Sequence, residues 1–287
     1  MLKTSRRNAI LSVALCLLVF GSTNASGAVL YGSTVNNDLV SFDSADPCTI
    51  MSSVRITGLE TGEDILGIDF RPFNGMLYAL GSTSRIYTID TSTGVATAVG
   101  PQLSVLLDGD AFGFDFNPRA NANIGAIRIV SDSGQDLRIH PDTLVVAVDG
   151  TLAFGMGDVN EGAEPFIVGA AYTNSRLGFM GTTLYNIDAG FDILTRQDPP
   201  NNGTQVSLGS LGLNTNDLAG FDILTTGTPE APINTAFAAV KESGRTRAKG
   251  GCGNSSLVSI NVSTGAATWL GSIGTMQPIR GLAARID

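Results

Sequence analysis

Histidine, tryptophan, cysteine and basic residues are all scarce in this chain of 287 residues, and each scarcity removes a class of function. His140 is the only histidine. A Ser-His-Asp triad would have to be built on it, and no G-x-S-x-G elbow accompanies it. With three cysteines in the whole chain, a zinc centre of His and Cys ligands is also unsupported. Lysine and arginine number 17 against 26 acids, which argues against binding to phosphate backbones, a task needing clustered bases. Beyond the N-terminal segment no apolar run reaches the about 20 residues that a membrane-spanning helix requires. Long Ala/Glu/Lys/Leu stretches at helical spacing are missing as well.

What is present begins with a leader. Lys3, Arg6 and Arg7 precede the apolar run Ala9 to Phe20, and small or polar residues fill Gly21 to Ala28. A basic start, a short apolar middle and a small-residue exit predict a secretory signal peptide over 1–28, cut after Ala25, Gly27 or Ala28. Residues 29–287 are then one domain, secreted or periplasmic. Cys16 falls in the leader behind Leu15, too large for a lipoprotein cleavage site. Removing the leader leaves 14 bases against 26 acids, a formal charge of −12. Such a charge keeps an exported protein soluble and is compatible with cationic partners.

Gly, at 35 residues, is abundant. Short Val/Ile/Leu/Thr/Tyr segments alternate with Gly, Asn, Asp and Ser clusters, the pattern of many short strands. These segments repeat. G-I-D-F at Gly67, G-F-D-F at Gly113, G-A-A-Y at Gly169, G-F-D-I at Gly220 and G-L-A-A at Gly281 mark a first strand, A. Strand B follows, as in M-L-Y-A-L (76–80) and T-A-F-A-A-V (235–240). Strand C reads L-V-S-F-D (39–43), I-Y-T-I-D (86–90), L-R-I-H-P (137–141), L-Y-N-I-D (184–188) and L-V-S-I-N (257–261). Strand D ends at Gly58, Gly100, Gly150, Gly209 and Gly271. S-T-G at 92–94 and 263–265 reads as a tight C–D hairpin turn.

One four-stranded sheet has two apolar faces and open edges, and five of them packed around an axis bury those faces. The ends complete the count. I-R-G-L-A-A-R-I (279–286) supplies a strand A alone, while the first residues after the leader supply B, C and D. The fold class expected is therefore all-β, a five-bladed β-propeller of four-stranded antiparallel blades, closed by the C-terminal strand pairing with the N-terminal strand.

G-I-D-F-R-P-F-N-G-M-L-Y-A-L…R-I-Y-T-I-D-T-S-T-G-V-A-T-A-V-G (67–100) resembles the repeat of secreted bacterial proteins grouped as domain of unknown function 4394, and L-V-S-I-N-V-S-T-G-A-A-T-W-L-G (257–271) repeats its second half. The resemblance spans essentially all of 29–287. It implies a propeller-like fold and supplies no catalytic residues. A-N-A-N-I (120–124) and D-P-P-N-N-G (198–203) depart from it where compact turns are expected.

The most informative polar signal is D-x-x-G-x-D, at Asp64…Asp69, Asp110…Asp115 and Asp217…Asp222. Strand A is innermost, so these carboxylates are expected near the axis, at or just below one mouth. The D-to-A connections add Glu60, Glu63, Asp108, Asp158, Glu161 and Glu164, with Arg280 the single base. That face should be electronegative. No cofactor is expected, with Ca2+ as the one alternative, since oxygen-rich clusters favour hard cations. A repeated Asp equally answers a repeated structural need, such as accepting backbone N–H bonds.

Weaker signals complete the reading. His140 is placed on strand C in register with Phe42, Ile89, Ile187 and Ile260, as a partly buried structural imidazole. Trp269, on strand D, is expected in packing. Lys241, Arg245, Arg247 and Lys249 sit in the B-to-C insertion of the fifth blade, expected to project from the acidic face. Export permits a Cys48–Cys252 disulfide, but C–D and B–C connections leave opposite faces, so the bridge looks awkward. The function expected is a non-catalytic binding or interaction module, a monomer meeting an extracellular or periplasmic ligand or protein, with no nucleic acid and no membrane span. The alternative is a calcium-assisted hydrolase or lyase acting through Asp69, Asp115 and Asp222 at an acidic channel mouth.

Overall fold

The computed structural model describes residues 27–244 and 248–286. Residues 1–26 of the leader expected over 1–28, and Arg245 and Arg247 of the basic insertion, lie outside the described residues.

Blade 1 contains β1 (Val29–Thr34), β2 (Asp38–Asp43) and β3 (Asp46–Arg55). Blade 2 is β4 (Ile65–Phe70), β5 (Leu77–Gly81), β6 (Arg85–Ile89) and β7 (Ala96–Ala98). Blade 3 is β8 (Phe112–Asn117), β9 (Ala126–Ser131), β10 (Asp136–Ile139) and β11 (Val146–Val148). A short β12 (Ala153–Phe154) leads into blade 4, formed by β13 (Ile167–Tyr172), β14 (Leu184–Asp188), β15 (Ile193–Gln197) and β16 (Thr204–Ser210). Blade 5 is β17 (Thr215–Thr228), β18 (Ala231–Glu242), β19 (Ser255–Ile260) and β20 (Ala267–Ile273), and the chain ends with β21 (Ile279–Ala284).

Each blade is an antiparallel meander. β12 adds a parallel fifth strand to the outer edge of blade 4. The ring closes as the repeat phase requires: β21 pairs antiparallel with β1, Leu30 opposite Ala284 and Gly32 opposite Leu282, giving the sheet order β21-β1-β2-β3. The innermost strands β21, β4, β8, β13 and β17 touch in cyclic order, returning from β17 to β21. The molecule is a five-bladed β-propeller.

Alternating apolar side chains on each blade pack against the next. Distinct apolar clusters fill the seams between blades 1 and 2, 2 and 3, 4 and 5, and 5 and 1. Edge-to-face pairs Tyr31–Phe70 and Tyr78–Phe116 lock two of them. The seam between blades 3 and 4 has the smallest cluster, around Val130, Ile167 and Tyr172. A buried polar network completes it. Arg128 reaches Asp136 at 2.5 Å, Asp149 at 2.7 Å and Asn201 at 2.8 Å, and Gln197 donates to Asp136. Gln205 and Asn186 extend the chain of bonds. Asn201 comes from the D-P-P-N-N-G insertion, which forms a short 3-10 turn.

Three expectations change. Cys48 and Cys252 form a disulfide with Cα atoms 6.0 Å apart. Residues 47–49 bulge from β3, since Phe42 pairs with Ile50 and Asp43 with Asp46. The blade 5 insertion folds back along β20, where Lys249 covers the Trp269 ring at 5.3 Å. Both cysteines therefore meet at the outer rim, and this part of the insertion does not project from the acidic face. Trp269 itself is 41% exposed beneath that lysine. Finally, β10 ends at Ile139, and the His140 N–H donates to Val145 O as the Asp90 N–H does to Val95 O. His140 thus matches Asp90, Asp188 and Asn261, one residue later than expected. Its Nδ1 accepts from the turn N–H groups of Asp142 and Thr143, as Asp90 accepts from Ser92 and Thr93.

Candidate axial carboxylate site

The five repeated glycines begin the site. A Cβ on Gly113 would sit 2.6 Å from the backbone N of Ala170, and one on Gly220 would sit 2.5 Å from that of Leu282. Gly67, Gly169 and Gly281 are similarly close to the neighbouring blade. The glycine ring lets five strands converge until the channel shrinks to a void of about 10 Å3. The recurring Gly is therefore a requirement of axial packing.

Two residues further along each A strand, Asp69, Asp115 and Asp222 meet. One oxygen of each lies within 4.8 Å of the others. The three residues are 3%, 1% and 4% exposed. Ala171 and Ala283 fill the same place on β13 and β21, also buried. Asp64, Asp110 and Asp217 do not join them. They stay at the opposite mouth, where Asp110 and Asp217 line a cavity of about 40 Å3 with Arg280, and Arg280 lies 3.8 Å from Asp64. The sequence expectation of paired acids at one mouth therefore divides into an exposed set before the glycine ring and a buried set beyond it.

The buried carboxylates serve neighbouring blades. The Phe116 N–H donates to Asp69 Oδ2 at 2.9 Å, and the Ala284 N–H to Asp222 Oδ2 at 2.6 Å. Asp222 Oδ1 also accepts from its own neighbour, Ile223. Asp115 stands differently. The N–H groups of Tyr172 and Phe116 lie beside it, yet neither carboxyl oxygen meets a donor in full hydrogen-bond geometry. Burial, then repulsion from Asp222, holds the Asp69 pKa well above the carboxylate range; burial, then repulsion from Asp69 and Asp222, does so for Asp115. Burial raises Asp222 to about 6. The ion pairs of Arg71, Arg128, Arg138 and Arg280 all end on other carboxylates.

Sequence reasoning missed the other buried charges. Arg128 and Asp136 give no repeat signal, because the network exists in one seam alone. Glu63, read as part of an acidic face, is buried and accepts from Thr83 Oγ1 at 2.6 Å and Tyr87 Oη at 2.5 Å. Burial raises its pKa, and these bonds more than offset that, leaving it lowered. Asp158 likewise accepts from the Ser207 N–H and hydroxyl.

A second concavity lies between blades 1 and 2, on the face carrying the A–B and C–D turns. This cleft measures about 740 Å3. Tyr31, Phe70, Leu77 and Ile89 contribute apolar wall, and Thr88, Thr93 and Thr97 contribute hydroxyls.

No curated protein matches the chain. Among solved structures it resembles a chain of a nidogen/laminin complex, at 10% identity and a TM-score of 0.49 over 91% of this chain and 86% of the other. A glutaminyl cyclase from Myxococcus xanthus gives 12% identity and a TM-score of 0.44 over 74% and 89%. A protein of unknown function from Bacteroides thetaiotaomicron gives 13% identity and a TM-score of 0.45 over 85% and 57%. At these values the propeller assignment rests on the strand order and ring closure above. Residues 38–283 match the model of the domain of unknown function DUF4394, and the chain belongs to that family.

Proposed function

We propose that this propeller is an exported, non-catalytic binding module, and that it takes its ligand in the cleft between blades 1 and 2. The observation carrying this reading is the cleft itself. Its volume of about 740 Å3 falls in the range of about 300–1,000 Å3 usual for ligand sites. Threonine hydroxyls beside tyrosine, phenylalanine and leucine, with Asp90 and Arg285 in the same lining, suit a ligand with hydrogen-bonding groups and an apolar face, such as a segment of a polysaccharide or peptide. A hydrolase acting through Asp69, Asp115 and Asp222 would need substrate to reach carboxylates that are nearly fully buried. The glycine ring obstructs that route from the acidic mouth.

Oligosaccharide and peptide arrays test the reading. Wild-type protein should bind a subset of probes, and Thr88→Arg combined with Thr97→Arg should lose it. Binding that survives in the double variant, or no binding at all, would reject the cleft. Export is tested separately by N-terminal sequencing. A mature end after Ala25, Gly27 or Ala28 is expected, and an intact Met1 in the cytoplasm would contradict it.

A further inference from the structure

We propose that Asp69, Asp115 and Asp222 hold one calcium ion on the propeller axis, pinning three blades together at the core of the ring. Two independent features meet here. One is the convergence of three carboxylates from three blades, with oxygens no more than 4.8 Å apart. The other is Asp115, 1% exposed, whose oxygens meet no N–H or hydroxyl donor in bonding geometry and whose carboxyl lies against that of Asp222. A buried carboxylate left so is costly, because desolvation goes uncompensated. The cluster's charge needs an occupant or a proton.

The geometry selects among cations. Three oxygens at most 4.8 Å apart leave a common centre at most about 2.8 Å from each, against calcium–oxygen contacts of about 2.3–2.6 Å. Closing that difference takes movements of a few tenths of an ångström. Magnesium demands about 2.1 Å and near-ideal octahedral ligands, a much larger contraction in a packed axis. Asp69 spends one oxygen on an interblade N–H and Asp222 accepts an N–H at each oxygen, and both carboxylates retain lone pairs for an ion. A small void of about 10 Å3, lined by Asp69, Asp222, Ser175 and Thr225, adjoins the cluster away from the glycine ring. It offers room for about one water as a further ligand, and an approach that avoids the glycine ring.

This site is distinct from the cleft, and either could fail alone. The test uses the mature chain stripped with chelator and dialysed. Calorimetric titration with Ca2+ should give one site per chain, and excess Ca2+ should raise Tm by about 5 °C or more, since a ligand that binds only the folded state stabilises it. Asp115→Asn keeps the shape of the side chain and removes repulsion, so it should fold while losing at least tenfold in Ca2+ affinity. Asp222→Asn should do the same, and Asp110→Asn, at the exposed mouth, should leave binding unchanged. Absence of both heat and Tm shift in the wild type would overturn the proposal. So would a shift that persists in Asp115→Asn but disappears in Asp110→Asn, which would place the ion on surface acids. A wild type that ignores Ca2+ while Asp115→Asn is more stable would identify the cluster as a proton store.

Discussion

Two of the buried carboxylate groups in this propeller have opposite surroundings. Asp136 and Asp149, between blades 3 and 4, face Arg128, and Asp149 also meets Arg138 at 2.6 Å. Asp69, Asp115 and Asp222, on the axis, face one another. Both sets are nearly inaccessible, and burial raises Asp136 to about 6 despite Arg128; Asp149, held by two arginines, is the member that the sign of its neighbours sets apart. Attraction and hydrogen bonds from Arg138 and Arg128 outweigh the upward push of burial on Asp149 and lower its pKa. At the axis, repulsion adds to burial for Asp69 and Asp115. A paired charge joins blades, whereas a cluster of like charges repels itself unless a proton or a cation joins it.

The comparison can be broken in several ways, and the largest effect belongs to the paired seam. Arg128→Met should cost about 3–5 kcal/mol in denaturant unfolding, because it strands two buried carboxylates. A cost under about 1 kcal/mol would mean that water already serves them. Gly113→Ala probes the packing that forces the axial acids together. Its Cβ meets the backbone of blade 4, and overpacking of this kind should cost about 1–3 kcal/mol. Asp115→Asn should have the reverse sign in chelator, stabilising by about 1–2 kcal/mol, since it removes like-charge repulsion at short range in a medium of low polarity. Destabilisation there would show that its carboxylate is satisfied.

A further test is a pair of opposed pH slopes. Asp222 has a folded-state pKa of about 6, above its unfolded value of about 3.9. Between these the folded state binds more protons, so metal-free stability should fall as pH rises from about 4 to about 6. Asp149 is lowered, so its contribution is present above about 3.9 and is lost as pH falls through its folded value. Asp222→Asn should reduce the first slope, which Asp136 shares, and Asp149→Asn should reduce the second, in urea midpoints measured across pH 3–7.

The fold was legible in the sequence because a propeller writes its geometry repeatedly. Each blade needs the same axial glycine, blades 2 and 5 repeat one C–D turn, and the missing strand of blade 1 is visibly held by the other end of the chain. The convergence of Asp69, Asp115 and Asp222 was legible for the same reason, being carried at one phase of the repeat. Their separation from Asp64, Asp110 and Asp217 was not. Five residues of extended strand span about 17 Å, enough to carry the second acid through the glycine constriction while the first remains outside. The Arg128 seam was hidden because it occurs once and draws Asn201 from an insertion. His140 was misplaced by one residue because Ile139 and His140 could each end the strand, and only the turn bonds decide. The disulfide depended on a bulge at 47–49 and on a loop folding back, neither of which strand order encodes.

Diffraction from crystals of the mature chain grown with Ca2+ tests the axial assignment most directly. The account predicts a single anomalous peak beyond the glycine ring, within about 2.3–2.6 Å of oxygens from Asp69, Asp115 and Asp222. An empty axis in which two of these carboxyls approach one another at the short O–H···O distance of about 2.5–2.7 Å would contradict it.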